Sequence, residues 1–127
     1  MSTVRSLVAV LALVVGCADP DESRCTSRLS ATGNADKDQA ALDGAVSAAK
    51  RGAVICLRPG TYKLGNEVTL SQSSVELRGL SGGEVVLDFT GQRRGANGVS
   101  AVGVDNFTIA NLKVKNTAGD GWAEWPG

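Results

Sequence analysis

Apolar residues in the second half of the chain fall in short alternating runs: Val68-Thr69-Leu70, Val75-Glu76-Leu77 and Val85-Val86-Leu87, then Val99-Ser100-Ala101, Phe107-Thr108-Ile109 and Leu112-Lys113-Val114. A period of two reads as strands with one face turned inward. Gly, Ser, Asn or Asp stands in nearly every gap. Matching positions recur: Val68 to Val99 is 31 residues, Val75 to Phe107 is 32 and Leu87 to Val114 is 27. A coil of three strands and three turns needs about 20–30 residues, the range in which solenoid repeats are suspected. The longer offsets are absorbed by Gly-rich loops at residues 79–84 and 91–98. The pattern predicts an all-β fold, a right-handed parallel β-helix of two to three coils. A β-sandwich is the competing arrangement. Against it, no Asn-Gly or Asp-Gly turn joins adjacent runs; Asn97-Gly98 and Asp120-Gly121 sit at the edges of the triplets.

Upstream, one stretch has helical spacing. Leu42, Ala45, Val46 and Ala49 share a face, and Asp36 with Gln39 resembles a capping box. Lys50 and Arg51 suit the negative end of a helix dipole, with Gly52 as the stop. A helix over residues 36–50 is therefore expected to cap the first coil. The strand Ala53-Val54-Ile55-Cys56-Leu57 and a Pro59-Gly60 turn follow.

Residues 1–16 form a different class of segment: Arg5, then an apolar run over residues 7–15 too short to span a bilayer. They read as a secretory signal peptide. The end of the run, Leu13-Val14-Val15-Gly16-Cys17, resembles the lipobox of bacterial lipoproteins, with Val14 where leucine is usual. That resemblance implies lipidation of Cys17 and anchorage to a membrane, since each buried methylene contributes about 0.8 kcal/mol. Ordinary cleavage nearby, with Cys17 a free thiol, is the alternative. Residues 17–35 are polar and read as a tether. Cys25 and Cys56 then remain as an even pair, which in an oxidising compartment suggests a disulfide. The alternative leaves Cys56 as a small buried residue and Cys25 free.

Composition narrows the chemistry. Only 4% of the 127 residues are aromatic, and 16 are glycine, as suits a narrow, often-turning chain. The formal net charge is zero, so nothing suggests nucleic acid as partner. The absence of histidine excludes a Ser-His-Asp or Cys-His mechanism within this segment.

The runs Leu57-Arg58-Pro59-Gly60-Thr61-Tyr62, Val75-Glu76-Leu77-Arg78-Gly79 and Val86-Leu87-Asp88-Phe89-Thr90-Gly91-Gln92 resemble the start of bacterial parallel β-helix repeat-containing lipoproteins, within the broad pectin-lyase-like group. Phe107-Thr108-Ile109-Ala110-Asn111-Leu112 and Asn116-Thr117-Ala118-Gly119-Asp120-Gly121 continue the likeness. The resemblance implies a protein of the bacterial cell envelope, periplasmic or surface-exposed, with no assigned biochemical role. Its chains are longer, so residues 36–127 read as the cap and first coils of a larger protein. The wider group includes polysaccharide lyases and epimerases, an analogy of fold alone.

Candidate chemistry lies on outward positions. Asp88 with Lys113 or Lys115 is the constellation a lyase or epimerase needs: a base, and a cation to neutralise a uronate carboxylate. An exposed ion pair of Asp88 with Lys115 is the plainer reading. Arg93 and Arg94 are candidates to grip an anionic sugar by bidentate contacts. No dense set of metal ligands is evident and no cofactor is expected, calcium on Asp88, Asp105 and Asp120 being the alternative. Asn106, Asn111 and Asn116 read as turn residues that tolerate left-handed backbone. Two functions follow: a carbohydrate-binding or scaffold module without turnover, or a polysaccharide lyase or epimerase acting on uronate polymers with most catalytic residues beyond residue 127.

Overall fold

The computed structural model describes residues 20–119 and the backbone of 121–125, with side chains from Glu22 to Gly119. The expected signal peptide, residues 1–16, and Cys17, the expected site of lipidation, lie outside the described residues.

Among the described residues ten short strands form: β1 (Ser27–Leu29), β2 (Val54–Leu57), β3 (Gly60–Lys63), β4 (Asn66–Leu70), β5 (Glu76–Gly79), β6 (Val85–Asp88), β7 (Arg94–Val102), β8 (Thr108–Ala110), β9 (Lys113–Lys115) and β10 (Gly121–Trp125). They make three sheets, ordered β1-β2-β5-β8, β10-β7-β4 and β3-β6-β9. Every described pair is parallel. Alternation governs the register: Val68 pairs with Val99, Tyr62 with Leu87 and Leu87 with Val114, and Ile55 with Leu77 and Leu77 with Ile109. These side chains belong to one apolar cluster between the sheets.

Sharp bends separate the sheets. Gly52, Ser74 and Asn106, each just before a strand of the four-stranded sheet, have φ of +89°, +61° and +56°. Ser74 N–H donates to Asp105 C=O at 2.9 Å, and Gly52 N–H to Ser74 C=O at 2.7 Å. Asn111 and Asn116 are left-handed as well, at +57° and +61°. Asn adopts this region more readily than other side chains.

Among the described residues one α-helix, α1 (Ala35–Ala48), packs on these strands. It starts one residue before the expected Asp36 and is capped by Asn34, whose side chain accepts from Lys37 N–H at 3.0 Å. It ends before Lys50 and Arg51. Its buried stripe is Asp38, Gln39, Leu42 and Val46, and it packs against β1, β3 and β4, which are the edge strands at one end of the three sheets.

The expectation of an all-β, right-handed parallel β-helix is corrected here. The strands form three separate small sheets, and no sheet closes or runs on as a solenoid, because the bends interrupt backbone pairing between them. Nor is the chain all-β: α1 places Leu42 and Val46 in the core cluster.

Gln39 does not close a capping box. Its Oε1 accepts from Gly65 N–H at 3.0 Å and Asn66 N–H at 2.9 Å, and its Nε2 donates to Asp43 at 3.0 Å. Asp38 accepts from Thr32 N–H at 2.9 Å, Thr32 Oγ1 at 2.7 Å and Lys63 N–H at 3.0 Å. Burial pushes the Asp38 carboxyl up. The bonds from the Thr32 side chain and from the Lys63, Thr32 and Gly33 backbone outweigh this and hold it below the ordinary carboxylate value. Tyr62 is within 3.0 Å of Leu29 C=O and 2.6 Å of Arg58 C=O, and its phenol is pushed up to about 12 by burial, then by the charge of Asp38.

Within residues 17–35, Pro20–Arg24 form a 3-10 turn and β1 joins β2. Cys25 is bonded to Cys56, with Cα atoms 5.8 Å apart. The turn is also held to β5 by Arg24, which pairs with Glu76 at 2.9 Å.

Asp38→Ala removes the acceptor of the part-buried Thr32 and Lys63 N–H groups, and is expected to cost about 2 kcal/mol by urea unfolding, with Asp38→Asn costing less. The Asp38 value is lower in the folded than in the unfolded chain. Its stabilisation is therefore complete above the ordinary carboxylate range and is lost as pH falls through the lowered value. Asp38→Asn should flatten the acid limb of the stability profile. Reducing the disulfide, which spans 31 residues, should lower stability by about 3–4 kcal/mol.

Candidate functional site

The candidate site grows from the β3-β6-β9 sheet. Tyr62 and Leu87 are buried and Val114 packs against the same core, so alternation turns Lys63, Asp88 and Lys115 to the other face, in one register row. Asp88 ends β6, and its side chain takes over from the ladder. Asp88 Oδ1 accepts from Thr90 N–H at 3.0 Å, from Thr90 Oγ1 at 2.6 Å and from Asn116 Nδ2 at 3.0 Å. Asn116 Nδ2 also reaches Thr90 Oγ1 at 3.0 Å. All three bonds fall on one carboxylate oxygen, leaving Oδ2 without a hydrogen-bond partner among the described residues. The bonds from the Thr90 and Asn116 side chains come first in holding the Asp88 carboxyl below its ordinary value; they outweigh burial, and the nearby Lys115 charge adds to them.

The chain then turns. Gln92 N–H donates to Phe89 C=O at 2.9 Å with Gly91 at φ +73°, which a type II turn requires of its third residue. Arg93 and Arg94 N–H groups both point to Gly65 C=O, at 2.7 and 3.3 Å. A side chain at Gly65 would come within 3.3 Å of the Arg93 guanidinium, so glycine lets that group lie over the bend between β3 and β4. Gln92 fixes the rest of the loop: its Nε2 donates to Arg94 and Asn97 C=O and its Oε1 accepts from Ala118 N–H.

The result is a cleft of ≈ 430 Å³ whose lining includes Asp36, Lys63, Gly65, Asp88, Thr90 and Arg93. A second concavity of ≈ 490 Å³, lined by Asn66, Arg93 and Arg94, shares Arg93 with it. The structure thus brings Asp88 and Arg93 together, with Arg94 alongside. Lys115 is the register neighbour of Asp88 but makes no ion pair with it among the described residues. Lys113 belongs elsewhere, 3.6 Å from Glu84 and lining a cleft with Leu80 and Leu112.

Among the described residues no group of three or more His, Cys, Asp or Glu is placed to hold a metal ion. Asp88 is engaged by Thr90 and Asn116, while Asp105 N–H bonds Ser73 Oγ on another bend; Asp120 lies outside the described residues. No described helix is long and apolar enough to cross a membrane. No family model, curated protein or solved structure matches the chain.

Sequence reasoning missed Lys63, Asp36, Thr90 and Gly65. Lys63 was within reach, because the alternation of Thr61-Tyr62-Lys63 puts it on the same side as Asp88 once the repeat is carried one lap back. Asp36 had no such signal, since it enters from the helix.

Asn116→Ala should cost about 1 kcal/mol in thermal unfolding, through lost bonds and a strained left-handed backbone. Asn116→Gly, which relieves the backbone alone, should cost less. In both variants the Asp88 carboxyl should titrate higher than in the parent by carbon-detected NMR.

Proposed function

We propose that this protein is a bacterial lipoprotein, held to a membrane of the cell envelope through lipid on Cys17, whose cleft binds carbohydrate without turning it over. Kinship with the repeat-containing envelope lipoproteins is part of the proposal. The likeness of Leu13-Val14-Val15-Gly16-Cys17 to a lipobox supports the anchor. The disulfide supports an oxidising compartment, where such bonds persist.

The observation that carries the binding reading is the shared cleft of Asp88 and Arg93. A guanidinium fork and a carboxylate oxygen with no partner among the described residues are the groups that hold sugar carboxylates and hydroxyls. The lyase or epimerase reading is favoured by the cation Lys115 beside Asp88 in register. Weighing against it, a general base works best near the operating pH, and Asp88 is held on the acidic side of an ordinary carboxylate.

Mass spectrometry of the mature protein should find acyl chains on Cys17, and Cys17→Ser should release it from the membrane fraction. The full chain should bind envelope polysaccharide in a sedimentation assay, with Arg93→Gln weakening retention roughly tenfold. Unsaturated product from uronate polymers, read by absorbance, would reverse the choice between the two readings.

A further inference from the structure

The cleft holds four charged side chains of two signs. Lys63 and Arg93 bring the cations and Asp36 and Asp88 the carboxylates, so their formal charges cancel. Opposite charges sharing a concavity ordinarily close into ion pairs. Here none of the four pairs with another among the described residues.

Asp88 has a side-chain anchor other than its opposite, Arg93 and Lys63 are placed through their backbones, and Asp36 through its position in the helix. Asp88 is fixed by Thr90 and Asn116. Arg93 is set over Gly65 by its own backbone bond. Lys63 is fixed by its place in β3, where Asp38 takes its N–H. Asp36 stands in the first turn of α1, where the helix dipole favours a carboxylate. The arrangement therefore keeps both signs open to a guest.

A guest with a single charge meets attraction at one pair and repulsion at the other. A guest with both charges meets attraction at each. We propose that the cleft recognises a zwitterionic sugar, a ring carrying both a carboxylate and an ammonium group. The carboxylate lies on Arg93 and Lys63, and the ammonium donates to Asp36 and to Oδ2 of Asp88. The volume of ≈ 430 Å³ is within the range of small-molecule sites. This names the ligand class of the carbohydrate-binding reading above and rests on it.

The test is an amide-NMR titration of the mature chain at about pH 6, below the titration range of an α-amino group. The probes are 2-amino-2-deoxyglucuronic acid, glucuronic acid, glucosamine and glucose. The amino acid sugar should bind about tenfold more tightly than either singly charged sugar, with shifts at the Gly65, Thr90 and Gly91 amides. Arg93→Gln should weaken both carboxylate-bearing sugars, whereas Asp36→Asn should weaken only the two amine-bearing ones. Circular dichroism confirms that each variant is folded. Glucuronic acid or glucose binding as tightly as the amino acid sugar would overturn the zwitterion assignment and leave carbohydrate binding intact. No shift with any of the four would sink both.

Discussion

Two adjacent polar side chains on α1 hold this fold together. The edge strands β3 and β4 and the bend between them present amide N–H groups that the helix accepts, at the end of the core that it covers. Asp38 takes that of Lys63, and Gln39 takes those of Gly65 and Asn66. An amide buried without an acceptor is costly, so the helix closes the core only because it brings acceptors as well as apolar surface. Leu42 and Val46, further along the same stripe, then fill the space behind them. Polar and apolar contributions are inseparable here, since the leucine can be buried only where the amides are satisfied.

The same contact sets the site. Gly65 is the residue whose N–H Gln39 holds and whose C=O receives Arg93 and Arg94. The position of the arginines is thus fixed from the helix through one bend, by way of Gly65. Asp88 is fixed independently, through Thr90 and Asn116. The cleft lies where these two systems face each other, which is why its charges remain apart.

What could be read from the letters is what alternation and turn chemistry write into them. Register pairs such as Val68 with Val99 follow from the period of two, and the left-handed Asn106, Asn111 and Asn116 from the tolerance of asparagine. Ser74 holds the same kind of bend with no such signal. β1 was hidden because Ser27-Arg28-Leu29 is too short to display alternation, and β3 because Pro59-Gly60 reads as a turn. Gln39 read as half of a capping box and Asp38 carried no signal, since their partners are backbone amides that have no letter of their own. The separation of three sheets was illegible for a related reason: runs of valine and leucine do not record whether pairing continues round a bend. In the site, Asp88 was legible as an outward strand position and Arg93 as one of a basic pair in a Gly-rich loop. Lys63 and Asp36 reach the cleft from other elements, and Lys113 was drawn off by Glu84.

The disulfide has a mechanical consequence. Tension applied to the chain ahead of Cys25 crosses the sulfur bridge into Cys56, in β2, a strand flanked on both sides within its sheet. It bypasses β1, a three-residue edge strand, and the whole of α1, because both lie inside the covalent ring. A pull on this end therefore shears β2 against two neighbours instead of peeling an edge, and the helix whose acceptors close the core bears none of the strain.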